Sequence, residues 1–299
     1  MAETSASRPV VVGVDGSESG LRAVRWAARE ARRWRAPLRL VHVVVGLDER
    51  WLADPAVGAG FRDAVTDAAR ERLDRARAAA VQAEPDVEVA DHLAAGDPAR
   101  VLLEEAKAAR LVALGDRGLG GFAGLLLGSV ASDVSARATC PVVVVRVPAG
   151  DVPPAGDDAP VVLGVDGTPL SEAAIAFAYE AASIRGVPLA AVHTWWDMLV
   201  DPAAAPFLDL SAAETREQEL LAQRLAGWSE KYPDVVVRRV VLADQPARAL
   251  VERSTDAQLV VVGSHGRGAL RGLLLGSVSR SLLQHADCPV AVVRPHGEA

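Results

Sequence analysis

The stretch GDRGLGGFAGLLLGSVASDVSARATCPVVVVR, Gly115–Arg146, returns later in the chain as GSHGRGALRGLLLGSVSRSLLQHADCPVAVVR, Gly263–Arg294, with 17 of 32 positions identical and no gap. Each copy runs from a glycine-studded turn through a Gly-Ser pair to Cys-Pro and a valine run. The valine run reads as a buried strand, and the Gly-Ser pair as the start of the helix before it. Upstream the correspondence continues: VVVGVDGSESG (Val10–Gly20) lies over VVLGVDGTPLS (Val161–Ser171) at an offset of 151. DPARVLLE (Asp97–Glu104) lies over QPARALVE (Gln245–Glu252) at an offset of 148, so the second copy is three residues shorter in its middle. One unit has been written twice, and the glycine segment is its best preserved part.

Within each copy, short β-branched runs alternate with helical stretches. The strands expected in the first are Val10–Val14, Leu38–Val45, Val87–Leu93, Leu111–Leu114 and Val142–Val145. Those of the second are Val161–Val165, Leu189–Thr194, Val235–Leu242, Leu259–Val262 and Val290–Val293. Five strands with helices between them define an α/β fold. Each copy is expected to be a Rossmann-like, doubly wound domain with a five-stranded parallel sheet in the order 3-2-1-4-5. Helix starts are marked by Asp97-Pro98, by Thr168-Pro169 and by Ser211 with Glu214, which reads as a capping box. Leu21, Val24, Ala27, Ala28 and Ala31 supply the inward stripe of the first helix. The segment PAGDVPPAGDDAP (Pro148–Pro160) has no apolar period and reads as a linker, giving domains 1–148 and 160–299 joined by 149–159.

Composition excludes several classes. The chain of 299 residues is 50% hydrophobic but only 4% aromatic, so its cores must be made of Val, Leu, Ile and Ala. A net charge of -7 argues against a nucleic-acid binder, which needs a basic face. No apolar run approaches the ~18 residues of a membrane span, and the N-terminus lacks a signal-peptide pattern, so a cytoplasmic location is expected. Cys140 and Cys288 occupy equivalent positions and read as buried thiols rather than a disulfide or metal pair. Of the 32 basic residues only Lys107 and Lys231 are lysines. Any mechanism that requires an active-site lysine has almost nowhere to find one.

In an open parallel sheet, ligands sit beyond the carboxyl ends of the strands, where strand order reverses. GVDG ends the first strand of each copy, and Gly115 or Gly263 ends the fourth. From Gly115 the spacing is two residues, Gly118, nine residues, then Gly128-Ser129; from Gly263 it is Gly266, then Gly276-Ser277. A helix N-terminus and a glycine turn both present backbone N–H groups to an anion, and together they suit a nucleotide triphosphate. The serine hydroxyl either caps its helix or donates to a phosphate. The nearby Arg117, Arg267 and Arg271 either neutralise phosphate or are solvated loop residues. Asp15 and Asp166 are either turn aspartates that cap the next helix or ligand groups. In the second role they face the nucleoside end or share a metal with the phosphates, and Gly13 and Gly164 let the ligand approach the backbone. A lysine-bearing phosphate loop is excluded, because Leu127 and Leu275 precede the Gly-Ser pairs.

These motifs resemble the universal stress protein family, in its tandem two-domain, ATP-binding form common in actinobacteria. The resemblance covers nearly the whole chain. It implies ATP as ligand in each domain, with or without Mg2+, and a regulatory role in stress response or growth control. It places Asp15 and Val43 at the adenosine end of the first site, with Gly115, Gly118, Gly128, Ser129 and Val130 around the phosphates. The matching residues of the second site are Asp166, Thr194, Gly263, Gly266, Gly276, Ser277 and Val278. His265 and Arg267 belong to the second loop, and Asp197 is a candidate ribose contact. Asp116, where the second copy has Ser264, brings a negative charge that would weaken phosphate binding. The resemblance also implies a homodimer, domains paired through their last strands, and an unidentified regulatory protein partner.

Two other function classes compete. A nucleotide-dependent enzyme would need a base or a lysine. His42 and His193 read as core histidines and His265 as a loop residue, which leaves slow ATP hydrolysis at most. The other competitor is an interaction module with vestigial sites.

Overall fold

The computed structural model describes residues 8–45, 59–119, 126–146, 155–195, 210–266 and 275–295. The chain falls into two compact units, Met1–Val145 and Arg146–Ala299. Of the expected linker, residues 149–154 lie outside the described residues. Ala159 N–H closes a turn on the Gly156 carbonyl at 3.0 Å.

The first unit contains strands β1 (Val10–Val14), β2 (Leu38–Val44), β3 (Val89–Ala95), β4 (Leu111–Gly115) and β5 (Val142–Val145). Its helices are α1 (Glu18–Trp34), α2 (Ala59–Ala83), α3 (Pro98–Ala106) and α4 (Ser129–Arg137). The hydrogen-bonded order is β3-β2-β1-β4-β5, and each paired strand is parallel to its neighbour. The strand order expected from the alternating pattern is the one observed. Helices α1 and α2 pack together against the sheet, as do α3 and α4, giving the layers of a doubly wound fold.

The second unit repeats this plan with β6 (Val161–Val165), β7 (Leu189–Thr194), β8 (Val237–Leu242), β9 (Leu259–Gly263) and β10 (Val290–Val293). Its helices are α5 (Glu172–Arg185), α6 (Leu210–Lys231), α7 (Pro246–Ser254) and α8 (Ser277–His285). Its order is β8-β7-β6-β9-β10, again parallel.

Strands β1, β4 and β5 consist almost wholly of residues removed from solvent, as a sheet covered on both faces requires. Each buried valine or leucine contributes about 1.5–3 kcal/mol relative to exposure. Along α1 the buried face is Ala23, Val24, Ala27, Ala28, Ala31 and Trp34, close to the expected stripe, with Leu21 at its margin. The helix starts at Ser17, whose hydroxyl accepts the Gly20 N–H at 3.0 Å. Asp97 caps α3 by accepting the Arg100 N–H at 2.8 Å, with Pro98 in the first turn. Thr168 caps a 3-10 turn, Pro169–Ser171, that leads into α5.

Two sequence expectations need correction. β3 and β8 each begin two residues later than their apolar runs. The N–H groups of Val87 and Val235 instead close turns onto the Glu84 and Tyr232 carbonyls, both at 3.2 Å. Ser211 is not a cap: α6 already includes Leu210, so Ser211 lies within the helix, where its carbonyl accepts the Thr215 hydroxyl. No described helix is long and apolar enough to cross a membrane.

Both cysteines are free thiols, Cys140 partly and Cys288 fully buried. Burial is the main cause that pushes each thiol up to about 12. Only the thiolate is nucleophilic, so both thiols are unreactive at about neutral pH. We expect iodoacetamide to leave both unmodified in the folded protein and to label both after denaturation, as read by intact mass. Rapid labelling of the native chain would contradict this burial.

Candidate functional site

Parallel register brings the sequence motifs to one edge of each sheet. Val14 pairs with His42 on β2, and β1 runs alongside β4 from Val10 opposite Leu111. Asp15, Val43 and Gly115 therefore all lie at the carboxyl ends of adjacent strands. In the second unit Val165 pairs with His193 and Val161 with Leu259, which places Asp166, Thr194 and Gly263 in the same way. Val43 is 9% and Thr194 7% exposed, so any contact they make with a ligand would involve the strand end rather than a protruding side chain.

The Asp-Gly turn after β1 requires its glycine: Gly16 has φ +92, and Gly167 has φ +80. This conformation lets Asp15 fold back over the turn. Its Oδ1 accepts the Ser17 N–H at 2.9 Å and the Ser17 hydroxyl at 2.7 Å. Its Oδ2 accepts the Leu119 N–H at 2.9 Å, linking the end of β1 to the glycine turn after β4 across 104 residues. Asp15 is therefore both a turn aspartate and the tether of the glycine loop. Asp166 accepts the Thr168 N–H and hydroxyl, both at 2.9 Å, and the Ser171 hydroxyl at 2.5 Å.

The two halves of the glycine signature meet directly. Gly128 N–H donates to the Asp116 carbonyl at 2.8 Å, and Gly276 N–H donates to the Ser264 carbonyl at 2.8 Å. A Cβ on Gly128 would stand 3.8 Å from Gly118 N, and one on Gly276 would stand 3.8 Å from Gly266 N. Gly128 and Gly276 are the N-caps of α4 and α8, and neither cap makes a side-chain hydrogen bond. Exposed Ser129 and Ser277 occupy the first helical positions, followed by half-buried Val130 and Val278. The backbone N–H groups of the first turn thus lie beside a glycine turn on the aspartate side, in both units.

Three of the singled-out residues also have partners within the protein that their motifs do not show. Gly13 and Gly164 give closeness to protein side chains: a Cβ would stand 2.7 Å from Leu114 Cδ2 at Gly13, and 2.8 Å from Leu250 Cδ1 at Gly164. Both glycines therefore also seat core side chains, Leu114 and Leu102 at Gly13, Leu250 and Val262 at Gly164. Asp116 turns away from the loop opening. It accepts the Ser19 hydroxyl at 2.5 Å, lies 3.7 Å from Arg22 Nη2 and is 5% exposed. The carboxylate is thus held by partners on α1. Ser264 in the second unit is fully buried and hydrogen-bonded to His265 Nδ1 at 3.1 Å.

The arginine side chain of Arg117 is 60% exposed, with Nε 3.7 Å from Asp116 Oδ2. Arg267, Arg271 and Asp197 lie outside the described residues. Among the described residues no three His, Cys, Asp or Glu side chains come together as a metal site. Ser17, Ser19 and Arg22 were missed in the sequence. Ser17, three residues before Gly20, carried the capping signal, whereas the partnership of Ser19 and Arg22 with Asp116 depends on the fold.

A duplicated doubly wound domain with a glycine-loop site at the strand ends defines the class. The sequence pattern of the universal stress protein family matches residues 6–146 and 159–294, and the chain belongs to that family. Universal stress protein Rv2005c of Mycobacterium tuberculosis is 43% identical over 297 residues, covering 98% of this chain and 99% of its own. Universal stress protein Rv2623 of the same species is 42% identical over 299 residues, with 98% and 99% covered. A universal stress protein from Archaeoglobus fulgidus shares the fold at 22% identity and a TM-score of 0.68, covering 97% of this chain and 99% of its own.

Proposed function

We propose that each domain binds one nucleotide, ATP being the ligand that the site suits best, and that occupancy is a regulatory signal in stress response or growth control. The observation that carries this reading is the closed glycine signature. In both units the Gly-x2-Gly turn is hydrogen-bonded to the Gly-Ser helix start, beside an aspartate at the end of the neighbouring strand. Backbone N–H groups there suit the phosphates, and the aspartate turn with Val43 or Thr194 suits the nucleoside. Mg2+ would arrive with the triphosphate, whose oxygens are its natural ligands.

Binding rather than turnover is the proposed role. The Lys107 ammonium is engaged by Glu104 at 2.6 Å, and that of Lys231 lies over the rings of Trp228 and Tyr232 at 4.9 and 5.4 Å. Hydrolysis slower than about one per second fits this reading, since typical enzymes work above that rate. A cytoplasmic location, a homodimer and a regulatory protein partner belong to the same proposal.

The test is to purify the protein, extract its nucleotide for mass analysis, and titrate the emptied chain with ATP by calorimetry. Two ATP per chain are expected. Absence of ATP and ADP binding at about millimolar concentration, where even weak specific sites fill, would overturn the proposal.

A further inference from the structure

The histidines of β2 and β7 occupy equivalent positions but meet different partners. His42 Nδ1 lies 2.6 Å from the Val14 carbonyl, and His193 Nδ1 lies 2.7 Å from the Val165 carbonyl. A carbonyl only accepts, so in both rings Nδ1 carries the proton. His193 Nε2 also lies 2.7 Å from Glu217 Oε2 of α6. An ionised carboxylate, too, only accepts. The pair therefore holds one proton beyond that on Nδ1, either as imidazolium with carboxylate or as neutral imidazole with carboxylic acid. At the same repeat offset of 148 the first copy has Ala69, which is fully buried. His42 faces no carboxylate from that position.

Val165 precedes Asp166, and His193 Cε1 lies 3.5 Å from where a Cβ on Gly167 would stand. The ring therefore braces the backbone on both sides of Asp166. It is fully buried, while the Glu217 side chain is 19% exposed. Losing the shared proton would set the Nε2 lone pair against a carboxylate at hydrogen-bond distance.

We propose that His193 and Glu217 are positioning residues of the second site, and that their shared proton makes nucleotide binding there, but not in the first domain, weaken as pH rises. This inference rests on the nucleotide reading. Among the described residues, the other polar neighbours are these. On α6, Arg224 Nε donates to the Gly167 carbonyl at 2.9 Å. On the β6 turn, the Asp166 carboxylate is held by Thr168 and Ser171. At the start of α5, Glu172 accepts the Trp228 indole N–H at 2.7 Å. β8 offers Val241 in register with His193, and α7 faces the sheet with Ala249 and Leu250. His265 stands in the second glycine loop, and the test must separate its contribution.

The experiment uses two full-length variants, Gly118→Val to disable the first site and Gly266→Val to disable the second. Each is titrated with ATP by calorimetry from about pH 6 to about pH 9, across the range where histidine sites commonly change charge. The ratio of the second-site Kd to the first-site Kd cancels the protonation of ATP itself. That ratio should rise with pH, by at most about tenfold per pH unit for one linked proton. Adding Glu217→Gln should flatten the rise while keeping binding, because the amide can donate to Nε2 of a neutral ring and His265 is left intact. A ratio that stays constant with pH overturns the inference alone. So does a Glu217→Gln profile that still rises like that of the parent. Absence of ATP binding at every pH overturns the nucleotide reading and this inference with it.

Discussion

Gly118→Ala should weaken nucleotide binding at the first site by at least about tenfold while leaving the fold nearly unchanged. A Cβ at this position would stand 2.7 Å from Asp15 Oδ2. That atom ends a short side chain that can swing aside, so the chain still folds. The swing, however, breaks the bond from Leu119 N–H and displaces the carboxylate from the mouth of the proposed site. A hydrogen bond to a charged group is worth roughly 1.5–3 kcal/mol when well formed, and the partial exposure here favours the lower figure as the stability lost; the loss of affinity, about tenfold, comes from the displaced carboxylate. Gly266→Ala is the informative comparison, because its Cβ would meet Asp166 Oδ2 at 3.4 Å, an ordinary contact. Calorimetric titration should therefore show the second site much less affected. Equal losses at both sites would mean that crowding of the phosphates, and not movement of the aspartate, sets the effect.

Gly115→Ala should produce the larger loss of stability. Its Cβ would stand 2.5 Å from Ser19 Oγ, 2.7 Å from Ser19 C and 2.9 Å from Gly20 N. Two of these are backbone atoms at the start of α1, and backbone cannot rotate away as a side chain can. The helix would have to lift from β4, straining the Ser19–Asp116 bond and the packing of Ala23, Val24 and Ala27. Overpacking of this kind costs about 3 kcal/mol, which should lower the unfolding midpoint of the full chain by roughly 10 °C in a calorimetric scan. At the matching Gly263 the nearest atom is the His265 carbonyl oxygen at 3.1 Å, and the next is Leu170 O at 3.8 Å. Gly263→Ala should shift the midpoint by much less. A shift of the same size in both variants would contradict the close seating of α1 on β4.

The contrast between these glycines explains why so similar a signature yields two different sites. Ser19, Arg22 and Asp116 tie the first glycine turn to α1, where the second unit has Leu170, Ala173 and Ser264. Among the described residues, these differences lie beneath the loop. Asp116 illustrates the point: beside a phosphate turn its charge reads as a defect, whereas in the fold it is a buried acceptor.

The sequence by itself determined the duplication and the strand order, and it marked the place of the candidate site. Valine runs can be buried on both faces only in a covered parallel sheet, and repeated motifs at the ends of the first and fourth strands must then converge. It also marked Asp15, Gly118, Gly128 and their counterparts, because main-chain geometry leaves a local trace in glycine spacing. Only the tertiary structure decided which side chains complete the two sites. Gly13 and Gly164 also lie against core leucines, Asp116 faces inward, and Glu217 reaches His193 from a helix 24 residues further along the chain. Such partnerships depend on how a helix face is turned toward the sheet, and rotation about a helix axis leaves no motif in the strand it covers.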